Sequence, residues 1–150
     1  MRSKYFCAYH SEKMKTYETE AYRYWMEVMR RGVQSYAKCR SESAHIYLHT
    51  ALDIGLLRQR CKRNGVFEEL HITKPAEFLI QLFIADDNVN GAFDLLSYIS
   101  SRTQSTVVKI NDPLLHFLNE SHKIIVTAEK SCPQNTDRDH THTNLQKIMH

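Results

Sequence analysis

The chain has 150 residues, of which 42% are hydrophobic and 25% charged, with a net charge of +3. That length suits one domain with a core of its own, and three prolines with four glycines are too few breakers for a many-turned all-β fold. The charge is below that of a dedicated nucleic-acid binder, and the longest uncharged apolar run, Phe78 to Ala85, is far short of the roughly 20 residues of a membrane span.

The N-terminus reaches charged residues before any signal-type apolar stretch forms, so a cytoplasmic location is expected. Cys7, Cys39, Cys61 and Cys132 are widely spaced without a CxxC pair and read there as free thiols.

After the aromatic leader Tyr5, Phe6 and Tyr9, apolar residues recur at helical spacing from about Ser11 to Lys38: Tyr17, Ala21, Tyr24 or Trp25, Val28, Met29 and Tyr36. One long amphipathic helix is expected, capped by Thr16 or Ser11, with Glu18 and Glu20 in the favourable field of its first turn. Ser41 or Ser43 offers the next cap. A second helix, about 42–63, carries Ala44, Leu48, Ala51, Leu52 and Leu56 and ends in the cations of "RQRCKR", which complement the negative end of its dipole, before Asn64-Gly65 stops it. A connector follows in which Val66, Phe67, Leu70 and Ile72 dock on the core.

Thr73 is expected to cap a third helix, with Pro75 in its first turn, running to Ala85. Asp86, Asp87 and Asn88 compete for backbone hydrogen bonds, and Gly91 adds freedom, so a turn is expected there. Periodicity restarts through Ala92, Phe93, Leu96 and Ile99, an antiparallel neighbour. "STVVKIN" reads as extended. Asp112-Pro113 opens a fifth helix with Leu114, Leu115, Phe117, Leu118, Ile124 and Ile125, to about Lys130. The expected organisation is an all-α domain of about five helices over 1–130, then a polar tail over 131–150 that lacks a periodic face and reads as disordered.

The two hairpins share a pattern. Gly32 is followed by Ala44, Leu48 and Ala51; Leu79 and Phe83 are followed by Val89, Ala92, Leu96 and Ile99. A small residue early in the second helix admits close approach, and residues four and seven further on fill the groove. On these residues the chain from about Trp25 to Arg102 resembles a tetratricopeptide-type (TPR-like) helical repeat. It departs from the family in placing Ala44 and Ala92 48 positions apart, against a period of about 34; in carrying Arg31 where a large apolar residue is usual and Ser35 where tyrosine is common; and in lacking the closing proline.

The resemblance implies that the first helix of each hairpin lines a concave surface for a protein or peptide. Met26, Met29, Arg30, Val33 and Tyr36 would face it from the first hairpin, and Glu77, Phe78, Gln81 and Ile84 from the second. Met, aromatic and Arg side chains suit such a groove, although the same side chains at helical spacing equally suit burial under the leader or the fifth helix. Two repeats fall short of a stable array, which makes a homodimer attractive.

His45 and His49 stand one turn apart, and with Cys7 and His10 they make a four-ligand metal site if the leader folds back, yet "HIYLH" lacks the glutamate of a zinc protease. His140 and His142 lie in the tail. Arg30, Arg31 and "RQRCKR" with nearby tyrosines are the candidates for nucleic acid, interleaved with Glu42, Asp53, Glu68 and Glu69. No nucleophile motif or Gly-rich phosphate loop is present. The expected function is a non-catalytic regulatory adaptor without a cofactor, with a small nucleic-acid-binding regulator or a metal-binding protein as alternatives.

Overall fold

The computed structural model describes residues 7–61, 67–103 and 113–131. They form six helices: α1 Ala8–Thr16, α2 Glu18–Ala37, α3 Ser41–Gln59, α4 Leu70–Ala85, α5 Val89–Thr103 and α6 Pro113–Ser131. No strand occurs among the described residues, and the all-α expectation holds with one helix more than expected. The expected extended segment "STVVKIN" and the tail beyond Ser131 lie outside the described residues.

The extra helix arises because the expected first helix is two. Tyr17 is extended, with φ −112° and ψ 96°, and separates α1 from α2. Thr16 does not cap α2; its hydroxyl donates back to the Glu12 carbonyl at 2.9 Å. The break lets Met14 join Trp25, Val28, Ala51 and Ile54 in a core cluster. Carbonyls at the end of α1 are taken by Arg58, whose Nη1 donates to the Lys15 carbonyl at 2.8 Å. Of the "RQRCKR" cations, Arg58 lies in the last turn of α3 and Arg60 at its C-cap, as expected, while Lys62 and Arg63 lie outside the described residues; Arg58 is also buried against the end of α1. Arg60 likewise reaches the Arg102 carbonyl near the end of α5, at 3.4 Å. Both positive charges sit at the C-terminus of α3 and each also reaches carbonyls at the end of a second helix.

α3 is the central helix. Its Ala51 and Ile54 belong to the cluster with α1 and α2, while Ala44, Leu48, Leu52 and Leu56 belong to the larger cluster with α4, α5 and α6. A helix buried on several faces shows no single apolar stripe. Neither Ser41 nor Ser43 caps it; Arg40 holds the cap position.

α4 begins three residues before the expected cap Thr73, so Pro75 is its sixth residue rather than part of a helix start. A proline there cannot donate to the carbonyl four residues back, that of His71. Trp25 supplies the missing donor: its indole Nε1 donates to the His71 carbonyl at 3.1 Å. Gly55 makes room, since a Cβ there would lie 2.5 Å from the same oxygen. His71 Nδ1 in turn accepts the Glu68 backbone N–H at 3.0 Å and satisfies one of the open donors of the α4 start.

The α2–α3 and α4–α5 connections have the same geometry at a 48-residue offset. Lys38 and Asp86 are the C-caps, with φ −92° and −87°, and Cys39 and Asp87 follow with φ 54°. The Arg40 N–H donates to the Ser35 carbonyl at 2.9 Å, and the Asn88 N–H to the Phe83 carbonyl at 2.8 Å, the six-to-one bond of a Schellman end. Beyond the turns, Ala44 and Ala92 are both fully buried. At Gly32 a Cβ would come within 2.8 Å of Leu48, so the first pair of helices is in close contact. α6 packs on both α4 and α5.

Candidate functional site

The candidate face is built from α2 and α4, which lie side by side. On α2 the buried side is Ala21, Trp25, Val28 and Gly32, which turns Met26, Arg30 and Val33 to the other side. Met26 is 49% exposed. Arg30 is exposed and bonded to Glu27 at 2.9 Å and to Gln34 at 3.1 Å. At the start of α4 the helices are joined by the Trp25–His71 bond already described; further along, the Tyr36 hydroxyl donates to Gln81 Oε1 at 3.0 Å, and the Tyr36 ring meets Phe78 edge-on at 5.2 Å.

The nine expected partner-facing residues therefore divide. Met26, Arg30 and Gln81 are exposed; Val33 and Glu77 are half-buried at the same face. Met29, Tyr36, Phe78 and Ile84 are half-buried and pack on the main core. These last four therefore turn at least partly inward. Glu77 is held by Lys74 at 2.9 Å.

Sequence reasoning missed the concavity next to this face. A cleft of about 480 Å³ lies between the first halves of α4 and α6, lined by Glu68, Glu69, Leu70, Thr73 and Glu77 on one side and by Pro113, His116, Phe117 and Glu120 on the other. The available signal was that His116 and Glu120 stand one turn apart on the polar side of α6, but no local pattern marks that side as the one facing α4.

The expected metal ligands do not assemble into one site. Cys7 Sγ lies 2.9 Å from His10 Nδ1 on α1. On α3, His45 stacks with His49 and approaches Asp86 Oδ2 at 3.3 Å. No group of three or more ligating side chains comes together among the described residues. Asp86, expected as turn chemistry alone, also ties the end of α4 to the start of α3. The Ser41 hydroxyl donates to its Oδ2 at 2.7 Å, and that bond, with His45 behind it, holds the carboxyl below its ordinary range.

A second polar contact lies between α3 and α5. The Tyr98 hydroxyl donates to buried Asp53 Oδ1 at 2.6 Å, with the Arg102 guanidinium 5.0 Å above the ring. Burial, and then the Asp53 carboxylate, push the Tyr98 phenol well above its ordinary value, which keeps it a donor. The pair fastens two helices and does not open on the cleft.

No helix among the described residues is long and apolar enough to cross a membrane. No known family model matches the chain, and neither a curated protein nor a solved structure does.

Proposed function

We propose that the chain is a non-catalytic, TPR-like interaction module, a cytoplasmic regulatory adaptor that takes a protein or peptide partner on the joint face of α2 and α4. The reading rests on one observation above all: the bond from Tyr36 to Gln81, with the Tyr36–Phe78 contact, fastens the first helices of two hairpins into one continuous surface. The matching turns at a 48-residue offset support it, because each joins a first helix to a second through the same Schellman end. α6 packs on the second hairpin and covers that end of the stack, so the partner proposed is a different protein rather than a second copy.

The test is capture from source cells on wild-type bait beside a Met26→Glu, Val33→Glu bait, with Ile46→Glu as control. Met26 and Ile46 are about equally exposed, at 49% and 47%, and Ile46 stands on α3. Met29 and Tyr36 are unsuitable, because they pack on the core and their loss would disturb the fold. The expected result is a partner kept by the control bait and lost by the double variant; a partner kept equally by all three rejects the surface.

A further inference from the structure

The cleft between α4 and α6 shares Glu77 with the residues expected to meet a partner, and its lining is strongly acidic. Four of its lining residues, Glu68, Glu69, Glu77 and Glu120, are acidic, in a chain whose net charge is +3, and neither Lys nor Arg is among the lining. Glu68 and Glu69 have a structural reason to be there, because the positive end of the α4 dipole favours carboxylates. Glu77 and Glu120 do not, since each lies two turns into its helix. Their lysine partners, Lys74 at 2.9 Å and Lys123 at 2.7 Å, come from their own helices, and exposed pairs of this kind are weak and exchange readily.

The cleft also carries apolar surface. Leu70 is 45% exposed and Phe117 half-buried, so the acidic rim surrounds a place for an aliphatic side chain. A volume of about 480 Å³ holds a few side chains, within the range of a ligand-sized pocket. An anionic ligand or a nucleic-acid backbone is repelled by this lining, and the described residues do not gather three ligands for a metal ion. A cationic segment satisfies both features.

On the premise that the α2–α4 face is the partner surface, we infer that the adjoining cleft takes a Lys- or Arg-rich stretch of the partner polypeptide, with an aliphatic side chain seated between Leu70 and Phe117. Each cation of such a stretch replaces a weak lysine pair at Glu77 or Glu120 with one fixed by the seated chain.

The experiment is a titration of the full chain, followed by amide and side-chain NMR, with short blocked peptides carrying lysine and arginine around one leucine. The same peptides with glutamate at every cationic position are the comparison. Expected are shifts at Glu77, His116 and Phe117 with the cationic peptides alone, and binding weakened about tenfold in Glu77→Lys, Glu120→Lys and by added salt. Glu77→Gln, Glu120→Gln, which keeps size and fold, should weaken it less but in the same direction. Equal binding of both peptide sets, or affinity unchanged in both double variants, overturns the inference. So do shifts at the cleft that track protein concentration without peptide, which would make a second copy the occupant. If the peptides fail while Met26→Glu, Val33→Glu still loses its captured partner, the cleft assignment falls and the α2–α4 surface stands.

Discussion

Pro75 shows at the scale of single residues how the chain departs from local rules. "HITKP" reads as a cap and a first turn, and every signal within five residues agrees. The departure depends on Trp25, 46 residues away from His71, whose indole takes the carbonyl that Pro75 leaves without its helical donor. Trp25→Phe removes that donor and leaves a buried acceptor open, so a loss of about 1–3 kcal/mol in urea unfolding is expected. Gly55→Ala should be at least as damaging as a single overpacked methyl, about 1–3 kcal/mol, because the atom 2.5 Å from its Cβ is a backbone oxygen and cannot rotate away.

His71 adds a pH dependence at the same place. Burial lowers its pKa below the ordinary 6.5, with the Glu68 backbone acting in the opposite sense. The unfolded chain therefore takes up a proton as pH falls below about 6.5 while the folded chain resists it, and stability is lost through that window down to the depressed folded value. Above it this residue contributes no slope. His71→Gln, whose amide oxygen can still accept the Glu68 N–H, should flatten stability against pH below about 6.5. An unchanged slope would mean that His71 is not the group responsible.

At the scale of elements, legibility followed the chemistry of the breakers. The α4–α5 turn was readable because Asp86, Asp87 and Asn88 all favour turns. The α2–α3 turn was readable as an end but not as the same turn, since Cys39 gives no sign of the left-handed conformation it adopts. The α1–α2 break was half legible: Glu18 and Glu20 do fall in the first turn of α2, but Tyr17 is not a breaker and the apolar period runs through it. Its cause is tertiary: Met14 gains a buried site and Arg58 caps the freed carbonyls.

The repeated turn yields its own prediction. Cys39→Gly relieves a side chain held at φ 54° and should raise stability by about 0.5–1 kcal/mol, seen as a higher thermal midpoint. Asp87→Gly should raise it less, because Asp tolerates that region better than Cys. A fall in the midpoint with Cys39→Gly would contradict the assigned turn.

For the whole molecule, the all-α class could be read from spacing, because amphipathic periods of this length are strong local signals, and the α4–α5 hairpin from spacing together with its turn residues. The candidate face was half legible. Helical spacing put Met29, Tyr36, Phe78 and Ile84 on the right elements but could not separate residues that turn inward from those that meet a partner, since both roles use the same side chains. The cleft was not legible at all, because it exists only where α6 settles against α4, and no local pattern fixes that meeting.

The claim on which the functional account turns is that a partner polypeptide touches the side of the molecule formed jointly by α2 and α4. A photo-crosslinking amino acid placed at position 26, 33 or 46 in source cells reads this directly, with no change of charge and no need to know the partner. Adducts of one common mass from positions 26 and 33, and none from 46, are the result expected. Adducts from 46 with none from 26 and 33 would contradict it.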